Sequence, residues 1–195
     1  SNDPIRREVS YIIMTVIINA DTSDGLKLTS DTSGLLQLQN NGTVLGIVQQ
    51  VVSTTKTDTF STTSTSMTDL TGMSVSITPT STSSKILITG NIFVSGSSSS
   101  ALVIFNLVRG STNISISSGS GSTDSTTFCD TDGMHLNENS TYSQNLNFLD
   151  SPSSTSSTTY KLQMRVTQGT GFINRRGLND NVRAVSTITA MEVAG

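Results

Sequence analysis

The only histidine of the chain, His135, stands just before Glu138, and the two make the nearest approach to an acid–base pair. Hydrolysis through a side-chain nucleophile needs that nucleophile, a base and an orienting acid within mutual reach. Serines are abundant, but the Gly-x-Ser-x-Gly elbow between a strand and a helix is missing; Gly119-Ser120-Gly121 belongs to a low-complexity stretch. His135 is therefore read as a surface or interface residue. A glycan-cleaving enzyme would instead show two carboxylates in a cleft. Only Asp130, Asp132 and Glu138 cluster at all, with Asp124 nearby. The chain is read as non-catalytic.

The same carboxylates are the weak candidates for a metal. Asp130, Asp132 and Glu138 offer hard oxygen ligands of the kind Ca²⁺ takes, but the spacing of an EF-hand loop is absent. A solvated acidic loop is the default, so no metal and no cofactor is assigned. The one cysteine, Cys129, excludes an internal disulfide framework and a multi-cysteine zinc site. No basic cluster or histidine beside it would make it a reactive thiolate, so it is read as a buried or loop thiol. Asn41-Gly42-Thr43, Asn113-Ile114-Ser115 and Asn139-Ser140-Thr141 match the glycosylation pattern, which a chain this rich in Ser and Thr produces by chance. Arg175-Arg176 suits a solvated hairpin tip, with carboxylates of another subunit or anionic glycans as the alternative partners. Tyr11, Tyr142 and Tyr160 are the only tyrosines and Trp is absent, so few rings are on offer to stack on a sugar.

Composition says what must position such residues. Ser and Thr make about a third of the 195 residues, while charged residues make only 13%; about 25% is usual in soluble domains. Disorder would need few β-branched residues and a high net charge. Here the net charge is −3 and Val, Ile and Thr are plentiful. Thr fits a pleated, half-buried surface, so the bias reads as β-sheet with hydroxyl-covered faces. Fourteen acidic residues against eleven basic ones, with no basic stripe, argue against a nucleic-acid partner. The longest apolar run, Tyr11 to Ile18, is too short to span a membrane and lacks the cleavage pattern of a secretory signal.

The elements follow from period-two alternation. Residues 1–13 differ in character from the rest, and read equally as a native arm or as sequence upstream of a start at Met14. Leu26-Lys27-Leu28 and Leu36-Gln37-Leu38-Gln39 are two similar short strands bounded by Asp24-Gly25, Ser33-Gly34 and Asn41-Gly42. This segment cannot bury a core of its own. Val51-Val52 and Phe60 mark edge strands. From Met73 the pattern is clear: Met73, Val75 and Ile77 alternate with Ser74, Ser76 and Thr78. Ile86, Ile88, Ile92 and Val94 share one face of a long strand, with Leu87 and Phe93 on the other, so this strand is expected to be covered on both sides. Gly90 marks a bulge or a close approach. Ala101 to Val108 reads as a central strand and 117–133 as one long loop. Further strands are expected around Ile114, around Tyr142–Phe148, over Tyr160–Val166, from Phe172 and over Val185–Val193. About eight strands between 73 and 193 indicate a β-sandwich or barrel. A jelly roll fits the count, and periodicity alone does not separate it from other Greek-key sandwiches.

Met73-Ser74-Val75-Ser76-Ile77-Thr78-Pro79, Ser84-Lys85-Ile86-Leu87-Ile88 and the Leu107-Val108-Arg109-Gly110 hairpin follow one another in a recognisable order. Ser157-Thr158-Thr159-Tyr160-Lys161-Leu162-Gln163, Phe172-Ile173-Asn174-Arg175 and Ser186-Thr187-Ile188-Thr189-Ala190-Met191-Glu192-Val193 complete it. This order resembles a jelly-roll domain of phage virion proteins, especially those of marine phages, with a TNF/C1q-like fold. The segment Ile18–Gly42 is similar to N-terminal segments that join such domains to a virion. The resemblance implies an all-β protein, a jelly-roll β-sandwich over 51–195 preceded by a short β-rich arm over 1–50. It further implies a homotrimer on the virion surface, a capsid decoration subunit or small appendage with capsid or tail proteins as partners. The alternative is a tail-fibre or spike module that binds a host surface glycan through loops 96–100, 117–133 and 150–157, gathered at one end.

Overall fold

The structure, a computed structural model, describes residues 39–40, 43–44, 48–97, 102–119, 125–130 and 139–195. The chain divides into two units, Ser1–Thr43 and Val44–Gly195. Two short strands, β1 (Gln39–Asn40) and β2 (Thr43–Val44), pair with each other. Except for Gln39, the two strands expected at 26–28 and 36–39 lie outside the described residues.

Everything regular among the described residues of the larger unit is strand. They are β3 (Val48–Lys56), β4 (Phe60–Thr62), β5 (Thr68–Ile77), β6 (Lys85–Gly96), β7 (Val103–Arg109), β8 (Thr112–Ile114), β9 (Phe128–Asp130), β10 (Tyr142–Asp150), β11 (Thr158–Val166), β12 (Gly171–Ile173) and β13 (Ser186–Val193). No helix long and apolar enough to cross a membrane occurs among the described residues. The expected edge strands at Val51-Val52 and Phe60 are β3 and β4. β3 begins at Val48, inside the segment assigned to the arm.

Two antiparallel sheets form. In the six-stranded one, β6 is central: β13 and then β12 lie along one of its edges, and β10 along the other. β3 pairs with β13 and β4 with β12, so both form the far edge. In the five-stranded sheet the order is β5, β11, β7, with β8 and β9 both pairing with β7. Taking β3–β4, β8–β9 and β12–β13 as interrupted single strands leaves eight, A to H in chain order. The sheets then read A-H-C-F and B-G-D-E. Each early strand lies beside the late strand that mirrors it: A by H, B by G, C by F, D by E. That is a long hairpin rolled up on itself, the jelly roll.

The alternation read from the sequence fills the space between the sheets. Met73, Val75, Ile77, Ile86, Ile88, Ile92, Val94, Leu162, Met164, Val166, Ile188 and Ala190 are all buried in one core cluster. Burying each of the Val, Ile, Leu and Met side chains among them stabilises the fold by ~1.5–3 kcal/mol. The strand from Phe172 is cut short after Ile173 by Asn174, which takes the left-handed conformation at φ 61°. Gly90 marks no bulge, since both its registers run through without a shift. It is a close approach: a Cβ there would stand 3.0 Å from the Thr187 carbonyl oxygen.

The stretch 117–133 is not one loop. Phe128–Asp130 forms β9 against β7, with the Phe128 ring stacked on Phe105 at 4.7 Å. The Thr126 hydroxyl donates to the Phe105 carbonyl at 2.6 Å and the Thr127 N–H donates to the same carbonyl at 3.1 Å. Hydroxyl and amide groups of an apparently featureless run thus fasten it to the sheet edge.

Candidate functional site

Two places carry an arrangement that fold stability alone does not require: the outward face of the six-stranded sheet, and one end of the sandwich. On β6, Leu87, Thr89, Asn91 and Phe93 point away from the core. The registers place Val51 beside Met191, Met191 beside Leu87, and Leu87 beside Leu149. The result is an apolar row across four strands. Val51 is 57% exposed and Leu149 55% exposed. The next row is Ser53, Thr189, Thr89 and Asn147, and the one beyond is Thr55, Thr187, Asn91 and Asn145. None of the twelve residues is charged. The cover expected over Leu87 and Phe93 does not come from the chain's own core side: both stay half-buried.

At one end of the sandwich, Arg109 closes β7 and sits in register with Tyr160 on β11. Asp150 ends β10 in the other sheet. The Tyr160 hydroxyl donates to Asp150 Oδ2 at 2.7 Å, and Arg109 Nη1 donates to both Asp150 oxygens at 2.9 Å. Burial first, and then the hydrogen bond and charge of Asp150, push the Tyr160 phenol far above its ordinary pKa, so it remains a neutral donor. Asp150 is 6% exposed, and its charge is met by a guanidinium that still reaches solvent. Arg109 Nε and Nη2 make no hydrogen bond among the described residues.

Beside this trio lies an open cleft of about 340 Å³, lined by Arg109, Pro152, Ser154, Ser157, Thr158 and Thr159. Its rim is the β10–β11 loop, in which Ser153 holds φ 50° and the Ser154 hydroxyl accepts the Ser156 N–H at 3.0 Å.

The chain matches no protein-family model and no curated protein sequence. Among solved structures it is similar to that of infectious bursal disease virus, Gt strain, at 12% identity and TM-score 0.40, covering 82% of this chain and 44% of that one. It is similar also to the infectious bursal disease virus VP2 subviral particle, at 12% identity and TM-score 0.41, over 77% of this chain and 41% of that one. The chain thus spans less than half the length of these proteins. The fold assignment rests on the strand order above.

Asp132, His135 and Glu138 lie outside the described residues; Asp130 ends β9. Among the described residues no three of His, Cys, Asp and Glu gather closely enough to hold a metal ion. Cys129 is half-buried on β9. Arg175 is no solvated tip. Its guanidinium lies 4.4 Å from the centre of the Phe172 ring, and its backbone bridges to Arg183. Two of the loops proposed to act together start from opposite ends of β6: 150–157 follows β10, whose Asp150 pairs with Ile86 at the start of β6, while Gly96, where the loop 96–100 begins, is the far end of β6. The Arg109–Asp150–Tyr160 trio escaped the sequence reading. Its one signal is that Arg109 and Asp150 end their strands and Tyr160 stands near the start of β11, which alternation does not weigh.

Proposed function

We propose that this chain is a structural subunit of a virus particle, displayed on the virion surface as a homotrimer and held there by capsid or tail proteins. The observation that carries the reading is the row Val51–Met191–Leu87–Leu149 on an otherwise hydroxyl- and amide-covered sheet face. Sandwiches solvated on their outer faces place polar residues there. A contiguous apolar row with exposed ends marks an interaction surface. Association of copies would cover it and shield the β10 edge, which pairs with β6 alone among the described strands. The resemblance to phage virion proteins supplies the viral context, with the residues before β3 as the attaching arm. The work is assembly, without catalysis.

Light scattering on the full chain and on Leu149→Lys tests this. The full chain is expected at three times the mass of the monomer, and the variant at the monomer mass with its fold intact by circular dichroism. A monomeric full chain would sink the self-assembling trimer.

A second reading, attachment to a host glycan, is favoured by the cleft at Arg109. Its hydroxyl lining and open form suit a sugar, and it needs no enzyme chemistry.

A further inference from the structure

The cleft of the second reading has a chemistry that selects among sugars. A pocket of about 340 Å³ stands at the small end of ligand sites, roughly 300–1,000 Å³. That suits a short saccharide and not a folded partner. Neutral sugars are held largely by stacking on aromatic faces. This lining has no aromatic ring; Pro152 is its apolar surface. Binding here must come from polar contacts with a fixed direction.

Arg109 supplies the direction. Its Nη1 is committed to Asp150, and Asp150 is in turn fixed by Tyr160. The guanidinium is thus held in place while Nε and Nη2 remain available. Such a pair of parallel donors matches a planar carboxylate. It is a single cation already shared with one carboxylate, which suits a monoanion better than a phosphate dianion. Ser154, Ser157 and Thr158 surround it with groups that both donate and accept.

The geometry points to a binding site for a carboxylated sugar, a uronic-acid type residue whose carboxylate meets Arg109 and whose hydroxyls meet the Ser/Thr rim. This rests on the glycan reading, and deepens it. A site so open binds one residue weakly; three copies on one particle subunit would raise the avidity.

The test is an NMR titration of the ¹⁵N-labelled full chain with methyl glucuronide, methyl glucoside and acetate. Glucuronide is expected to move the amides of Gly110, Ser154, Ser157 and Thr158, and to bind about tenfold tighter than either other probe, equivalent to ~1.4 kcal/mol. Ser157 is exposed, so variants there spare the core. Ser157→Glu should abolish the glucuronide shifts by charge repulsion, and Ser157→Gln, of the same size and uncharged, should weaken binding without abolishing it. Glucoside binding as tightly as glucuronide overturns the acidic-sugar assignment and leaves the glycan reading standing. Acetate binding as tightly as glucuronide overturns it as well, reducing the cleft to a carboxylate site. No shift with any probe overturns both.

Discussion

Tyr160 and Asp150 join the two sheets: the phenol of the five-stranded sheet donates to the carboxylate of the six-stranded one at 2.7 Å, with both residues out of solvent. A neutral donor on one layer and a charge on the other close that end of the sandwich, and Arg109 balances the charge.

Removing the hydroxyl should therefore cost less than removing the cation. Tyr160→Phe is expected to lower unfolding stability by ~1.5–3 kcal/mol, one hydrogen bond to a charged carboxylate. Arg109→Met leaves Asp150 buried and uncompensated, and should cost ~3–5 kcal/mol. Urea melts of the two variants measure the difference. Equal losses would mean that the ion pair adds nothing.

The phenol also sets an alkaline limit. Its folded pKa is raised above the ordinary 10.0, so the folded chain holds the proton more tightly than the unfolded one. The contribution is full below pH 10.0 and declines as pH rises beyond it. Absorbance at the phenolate band should show Tyr160 silent until the chain unfolds. A Tyr160 phenolate in a chain still folded would contradict this.

Asn174 is buried, and its whole polar complement is used. Nδ2 donates to the carbonyls of Lys56 at 2.8 Å and Asp58 at 3.0 Å, while Oδ1 accepts the Ser186 hydroxyl at 2.6 Å. Its N–H donates to the Phe93 carbonyl and its C=O accepts the Ala184 N–H, both at 3.0 Å. Asn also tolerates the left-handed backbone that this corner needs. Asn174→Ala should cost upwards of ~3 kcal/mol, from several stranded buried groups at ~1–3 kcal/mol each, and Ser186→Ala less. Thermal melts rank the two; an unshifted midpoint for Asn174→Ala would refute the account.

Glu192 governs the acid side. Burial disfavours its charge, but donation from Gln50 and from the N–H and hydroxyl of Thr80 outweighs burial and holds its pKa below the ordinary 4.5. A depressed folded pKa means that the unfolded chain binds the proton first. The stabilisation is present above pH 4.5 and is lost as pH falls through the folded pKa. Asp58, Asp69 and Asp180 are likewise depressed by Lys56, Lys161 and Arg183, but they are exposed and screened, so their share is small. Glu192→Gln should be less stable at neutral pH and show a flatter decline into acid. A profile parallel to that of the parent chain would remove Glu192 from the explanation.

Gly90 is tight for a different reason. A methyl group there meets the Thr187 carbonyl oxygen at 3.0 Å and Ile92 Cδ1 at 3.3 Å. Gly90→Ala is expected to cost ~1–3 kcal/mol by overpacking, despite the better strand propensity of Ala. Denaturant melts check it, and a gain in stability would show that β6 and β13 can part without loss.

Much of the fold was legible. Met73-Val75-Ile77 and Tyr160-Leu162-Met164-Val166 alternate, and they face the core as alternation requires. The apolar row was half legible: Leu87 stood on the wrong face for a solvated strand, but nothing in β6 told which strands lie beside it. β9 was hidden because its neighbours are Ser, Thr and Gly, whose side chains serve equally in a loop or at a sheet edge. Arg175 looked solvated because the Phe172 ring beneath it is too close in sequence to read as a stacking partner.

Alternation is a local property, since successive side chains on a strand must point opposite ways, and so the sequence by itself determined the long strands, their inner faces and the hydroxyl-rich exterior. Strand order is not local. Which strand lies beside which depends on contacts between residues as distant as Val51 and Met191. Only the tertiary structure decided the A-H-C-F and B-G-D-E sheets. It also brought Val51, Met191, Leu87 and Leu149 into one row, and Arg109, Asp150 and Tyr160 into one hydrogen-bonded trio beside the cleft. Each of those residues is unremarkable in its own strand, and becomes a site through neighbours that its own segment does not specify.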